Sequence, residues 1–182
     1  MKKQFISILS VFASALVIAH VSHAEAGFQA SLTPEVAIVE RGDTVEGLAL
    51  NIWGENEVRG VDLGFVNGQV GDSSGFTLSL LGGYAENYRG VLWGGFFTVS
   101  RGDVIGWQAA TVNINQGSLK GLQSGLVNLG VDVTGVQLGF VNYTRDLHGV
   151  QVGLANVVES NEWFKDLPND LAKGFPIVNW SF

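Results

Sequence analysis

An eight-residue phrase recurs along this chain at a nearly fixed interval, and it restricts the possible folds more than any other feature. Its clearest copies are GVDLGFVN, GLQSGLVN, GVQLGFVN and GVQVGLAN. Eight copies, 13–16 residues apart, begin at Gly47, Gly60, Gly75, Gly90, Gly106, Gly121, Gly135 and Gly149. This period predicts a fold built from one small unit used eight times.

Hydrophobicity alternates inside the phrase. The second, fourth and sixth positions, such as Val136, Leu138 and Phe140, hold no charged residue in any copy. The third position is mostly polar, with Gln the commonest residue, and the fifth is mostly small. Because a helix would space apolar residues three and four apart, this alternation predicts a strand with one apolar face.

The segments between copies favour hairpins. They are rich in Gly, Asn, Asp and Ser, the residues that tight turns require, as in 71–75, 101–103, 115–118 and 144–146. Each repeat then leaves a strand of about 9–11 residues, which is the length that crosses a bilayer. With one strand near 28–32 or 35–39 and another at the C-terminus, we predict an all-β fold, an antiparallel up-and-down transmembrane β-barrel of about ten strands.

In such a barrel the apolar positions of each strand face lipid. Aromatic residues of the strands, such as Trp53, Trp93 and Trp107, are candidates for girdles at the bilayer edges. The lipid-facing candidates are Leu63, Phe65, Leu126, Val136, Leu138, Phe140, Val150, Val152 and Leu154. Outer-membrane lipid is therefore the first expected partner.

A β-solenoid is the alternative fold. Parallel coils would stack the same strand on itself and turn the apolar face inward. The seventh position is apolar in the copies that contain Val66, Val112, Val127 and Val141, which argues against a wide water-filled lumen and suits a solenoid. The hairpin-like turn residues argue against it.

The N-terminus has the pattern of a secretory signal peptide. Lys2 and Lys3 precede an apolar run over 5–21, and Ser22-His23-Ala24 is a small-x-small cleavage site. Cleavage after residue 24 leaves a single domain, 25–182, with 8 basic and 17 acidic residues and a net charge of −9. This charge predicts no nucleic-acid partner, and the absence of Cys excludes disulfides and thiol chemistry.

The chain ends in GFPIVNWSF, where Val178, Trp180 and Phe182 alternate onto one face of a predicted strand, 174–182. This ending resembles the C-terminal signal of bacterial outer-membrane β-barrel proteins. The resemblance implies an outer-membrane location and recognition by the barrel-assembly machinery through this strand. From Pro34 to Phe182 the chain also resembles an uncharacterised family of bacterial surface-repeat proteins with GLQxGLVN-like copies and a PIVNWSF-like end, which implies an outer-envelope location.

Little in the sequence points to chemistry. His148 is the only histidine after residue 24, and we expect it in an exposed turn; no catalysis, metal or cofactor is predicted. A loop outside the repeat, 157–173, holds Trp163 and Phe164 as a possible interaction site. We therefore expect a small outer-membrane barrel with a structural or surface-interaction role. The alternatives are an exported solenoid that serves as an adhesin or binding module, and a narrow small-solute channel.

Overall fold

The computed structural model describes residues 26–162 and 173–182. The predicted signal peptide, 1–24, and the loop residues Trp163 and Phe164 lie outside the described residues. The strands are β1 Ala26–Thr33, β2 Val36–Ala37, β3 Thr44–Gly94, β4 Phe97–Ser100, β5 Val104–Ala109, β6 Val112–Asn115, β7 Ser118–Ser124, β8 Val127–Leu138, β9 Val141–Val158 and β10 Gly174–Ser181. No helix among the described residues is long and apolar enough to cross a membrane.

Successive repeats pair in parallel, with identical positions side by side. Gly106 of β5 pairs with Gly121 of β7, which pairs with Gly135 of β8 and then Gly149 of β9. Each repeat is therefore one coil, and the molecule is a stacked-coil β-solenoid of about eight coils. Below, each coil takes the name of its first glycine.

The prediction of an antiparallel transmembrane barrel was wrong. Alternation within one strand is the same in parallel and antiparallel sheets, so it did not distinguish them. The segments predicted to be hairpins are corners within a coil. Gly102 and Gly117 have no positive φ there, whereas Gly71 has a φ of 59°. The first glycine of each phrase also has a positive φ, between 118° and 153°.

The orientation expected for a solenoid was also wrong, because the polar face of the phrase points inward. Third-position side chains form a buried ladder of amides: Gln151 donates to Gln137 over 2.7 Å, and Gln137 donates to Gln123 over 2.6 Å. Gln123 continues the ladder to Gln108 over 3.2 Å. All four are fully buried, since stacking in register gives each amide a partner in the next coil.

The eighth position forms a second buried ladder. Asn113 donates to Asn128, Asn128 to Asn142 and Asn142 to Asn156, over 2.7–2.8 Å. Each of the first three also donates to a main-chain carbonyl, as Asn128 does to Leu138. A buried apolar column accompanies the ladders and is formed by the residue two places before the first glycine: Tyr88, Val104, Leu119, Val133 and Leu147.

Antiparallel strands cover both ends of the stack. At the N-terminal end β1 pairs in parallel with β3, and β2 folds back on β1. At the C-terminal end β10 pairs with β9 in antiparallel fashion, with a register shift between Phe175 and Ile177. Strands thus occur at both ends of the domain, and β10 lies within the range predicted for the C-terminal strand, 174–182.

Candidate interaction surface

An exposed row of large apolar side chains follows one corner of the solenoid. Most of them hold the sixth position of the phrase, where the chain bends between two strands of a coil. Between 49% and 68% of each residue is exposed. This corner row consists of Ile52, Phe65, Leu80, Phe96, Leu126, Phe140 and Leu154. Over eight coils at the usual strand spacing it is roughly 34 Å long.

The surfaces on both sides of the corner row are also apolar. On one side lies the first outer face, made by the second and fourth positions, as in Trp107 and Leu138. On the other lies the second outer face, where Val112, Val127 and Val141 stack in register. Ile114, Leu129 and Tyr143 form a further row of this face. Together the corner row and the two faces form a convex apolar edge.

Two polar side chains of the apolar edge form hydrogen bonds within the protein. The indole nitrogen of Trp107 donates to the Ser124 hydroxyl over 2.7 Å. Thr111, which interrupts the corner row, donates its hydroxyl to the carbonyl of Gly95 over 2.8 Å. An unpaired donor costs several kcal/mol when it moves from water into a medium without hydrogen-bond partners. Because these two donors are already paired, the edge can be buried without this cost.

Charges are arranged in order beside the first outer face. Three of the eight residues just before a first glycine are basic and form the basic row, Arg59, Arg89 and Lys120, whereas the first coil has Glu46 at this position. Two residues earlier lies an acidic row that includes Asp103, and Asp132 and Asp146 pair in register there. The cations thus lie between the apolar edge and the acids.

The members of the basic row differ in their partners. Arg59 forms ion pairs with Glu57 over 2.6 Å and with Glu46 over 3.3 Å. Within 26–162 and 173–182, Arg89 and Lys120 form no ion pair. Their charges remain available to an external anion.

A groove of about 770 Å³ opens on the apolar edge near its N-terminal end. The β1–β2 hairpin contributes Leu32, Val36 and Ile38, and the first coils contribute Leu50 and Phe65. The volume lies within the usual range of small-ligand sites, and its lining is almost entirely aliphatic and aromatic.

All nine residues predicted to face lipid lie on the first outer face or the corner row, and all nine point outward. Phe65, Leu126, Leu138, Phe140, Val152 and Leu154 are exposed, whereas Leu63, Val136 and Val150 are half-buried. The structure therefore groups them on one surface of a solenoid, and their contact with lipid stays a prediction.

The C-terminal residues extend the same surface. Trp180 pairs in register with Val150, and Val178 pairs with Val152, so both continue the first outer face. Phe182 follows β10 and is largely exposed. In this fold β10 covers the last coil. Recognition of this strand by the barrel-assembly machinery stays a hypothesis, and the fold is not the barrel on which that hypothesis was based.

The sequence analysis missed the second outer face, the basic row and the ladders. The signal for the second outer face was present, because the seventh position is apolar in successive copies. The signal for the ladders was the recurrence of Gln and Asn at the third and eighth positions. Amides that recur at a fixed position can bond to one another in a parallel, in-register stack, so their recurrence favours such a stack over hairpins.

The described residues offer little for catalysis. They contain no group of three or more His, Asp or Glu side chains that could hold a metal ion. His148 is exposed but lies within β9 beside Thr134, so its prediction as a turn residue was wrong. The interior columns are filled by buried amides and apolar side chains, which removes the structural basis for a narrow channel.

One buried acid interrupts the third-position column. Burial raises the pKa of Asp62 to about 7, although hydrogen bonds from Gln69 and Asn51 act in the opposite direction. Asn51 donates to one carboxylate oxygen over 2.8 Å and Gln69 donates to the other. Since its side chain faces the interior, Asp62 is not part of the apolar edge.

No protein-family model, curated protein or solved structure matches the chain. The resemblances to outer-membrane barrels and to surface-repeat proteins therefore stay hypotheses. The apolar edge is the surface from which a function can be argued.

Proposed function

We propose that the chain is an exported bacterial envelope protein that acts by binding rather than by catalysis, through its apolar edge. The observation that carries the proposal is the distribution of side chains, with amides buried and large apolar residues exposed along the corner row. Soluble monomers rarely expose a contiguous apolar patch of more than a few hundred Å², and larger patches mark interaction sites.

Two further observations support binding. The edge carries no charged residue along the corner row, and its donors on Trp107 and Thr111 are already paired. Since amide ladders and glycine packing hold the coils together, the exposed apolar residues are not needed to fill a core. Export rests on the signal-peptide pattern of residues 1–24.

The test is cell fractionation of the full chain expressed in a Gram-negative host. We expect the wild-type protein in the envelope fraction, with its N-terminus near residue 25. The variant Leu126→Lys/Phe140→Lys/Leu154→Lys places charges on three neighbouring coils of the corner row. It should be exported and folded, as judged by protease resistance, but released from the envelope.

The matched control is Gln116→Lys/Thr134→Lys/Ser160→Lys, which adds the same charge at exposed positions outside the corner row; of these, Thr134 pairs in register with Lys120 of the basic row. The control should be retained like the wild type. Equal retention of all three proteins would contradict a binding role for the apolar edge.

A further inference from the structure

Building on the proposed function, we infer that the partner of the apolar edge is the surface of an anionic lipid bilayer, against which the solenoid lies with its coil axis parallel to the membrane plane. The first argument is shape. The corner row is the most exposed part of a convex edge whose two sides are both apolar. A rigid partner, such as a second copy of the chain, would cover one side of the edge and leave the other in water, whereas fluid acyl chains can surround both.

The second argument concerns polar groups. A bilayer interior supplies no hydrogen-bond partners, so a surface that enters it must satisfy its own donors. Trp107 is paired with Ser124, and Thr111 is paired with Gly95, each over less than 3 Å. A protein partner with polar side chains would not require this internal pairing.

The third argument is the position of charge. Arg89 and Lys120 lie beside the first outer face, and the acidic row lies farther from it. The domain carries a net charge of −9, so its long-range interaction with an anionic surface is repulsive, and these two cations act at short range. When the edge enters the acyl region, they reach the level of the phosphates. Basic residues beside an apolar stripe bind anionic lipid in the same way on amphipathic helices.

The tryptophans provide a built-in depth probe. Trp107 and Trp93 lie on the first outer face, Trp180 extends it, and Trp53 adjoins Ile52 of the corner row. Four of the five tryptophans of the chain thus belong to the apolar edge. A protein lying on a membrane in this orientation should show strong contact between these indoles and acyl chains.

The experiment mixes the mature chain, 25–182, with vesicles of phosphatidylethanolamine and phosphatidylglycerol and measures flotation and tryptophan emission. We expect co-flotation, a blue shift, and quenching by lipids brominated along their acyl chains. The variant Leu126→Lys/Phe140→Lys/Leu154→Lys should bind about a hundredfold more weakly. Electrostatic attraction alone predicts the opposite, since the variant gains positive charge; the control Gln116→Lys/Thr134→Lys/Ser160→Lys should bind at least as well as wild type.

A second variant tests the charge argument. Arg89→Glu/Lys120→Glu should lose affinity for vesicles with phosphatidylglycerol and keep its weaker affinity for purely zwitterionic vesicles. Equal affinity of this variant and the wild type for both kinds of vesicle would overturn the preference for anionic lipid.

The outcomes separate this inference from the proposed function. Absence of flotation and quenching, while the corner row is still required for envelope retention, would overturn the lipid partner and leave the binding function standing. If the protein forms a stable dimer in buffer and does not bind vesicles, the partner of the apolar edge would be a second copy of the chain. Failure of both the vesicle and the retention experiments would overturn both proposals.

Discussion

The first glycine of each phrase carries the closest backbone contact of the fold. Gly135 has a φ of 137°, and a Cβ there would overlap the carbonyl oxygen of Gly121 in the preceding coil. Gly106 and Gly121 meet their preceding coils in the same way. Only a residue without a side chain allows both this conformation and this approach.

Replacing Gly135 with alanine should therefore destabilise the protein severely. We expect a loss of at least about 3 kcal/mol in the free energy of unfolding, from backbone strain and overlap together. Gly42→Ala is the matched control, since Gly42 has a φ of 87° but nothing within 4 Å of the added Cβ. Urea denaturation of both variants measures the difference. Equal, small losses would show that the close contact at Gly135 is unimportant.

Asp62 gives the stability a dependence on pH. Its pKa is raised by burial to about 7 in the folded state, above the ordinary value of 3.8, so the folded protein holds a proton that the unfolded chain releases. The contribution of Asp62 to stability is therefore most favourable at or below about pH 4, falls as pH rises to about 7, and then levels off. The whole effect amounts to at most about 4 kcal/mol.

Asp62→Asn should remove this dependence. The variant should exceed the wild type in unfolding free energy by an amount that grows between about pH 4 and about pH 7. Denaturant titrations across this range measure the difference, and Asp132→Asn, at an exposed position, controls for the loss of one carboxylate. A difference that does not change with pH would contradict a raised pKa at Asp62.

At the scale of the element, the amide ladders make neighbouring coils interdependent. Gln137 donates to Gln123 and accepts from Gln151. Replacing Gln137 alone with leucine leaves one acceptor and one donor without their ladder partners. Replacing both Gln123 and Gln137 again leaves two such groups, on Gln108 and Gln151.

A double-mutant cycle follows from this count. Gln137→Leu should cost about 2–4 kcal/mol, because buried groups lose their partners. The double variant Gln123→Leu/Gln137→Leu should cost less than the sum of the single variants, with a coupling of about 1–3 kcal/mol. Urea denaturation of the four proteins gives the coupling. Additive losses would mean that the amides do not act as a ladder.

The elements also explain what could be predicted from sequence. The repeat positions and the strands followed from alternation and glycine spacing, because these are properties of one chain segment. The direction of pairing did not, since the same alternation suits a hairpin and a coil. The inward face was assigned wrongly, because Gln137 is a poor core residue alone and a good one only beside Gln123 and Gln151. The sequence correctly predicted that Leu126, Phe140 and Leu154 point outward, although it predicted this for a barrel rather than a solenoid.

At the scale of the whole molecule, each coil contacts only its neighbours, so local stability should vary along the axis. Hydrogen exchange should be slowest in the Gly106 and Gly121 coils, which have a coil on each side, and fastest in β2 and β10 at the ends. Mass spectrometry of peptides across 26–162 and 173–182 measures these rates. Uniform protection would indicate that the stack opens only as a whole.

The geometry of the parallel ladders does not determine how many coils the solenoid contains. A coil inserted by duplication between Gly121 and Gly135 would meet the same glycine, Gln and Asn partners above and below as its neighbours do. Each addition would lengthen the corner row by one strand spacing, roughly 4.8 Å. Gain or loss of one repeat would therefore change the length of the apolar edge in single steps, while its cross-section stays the same.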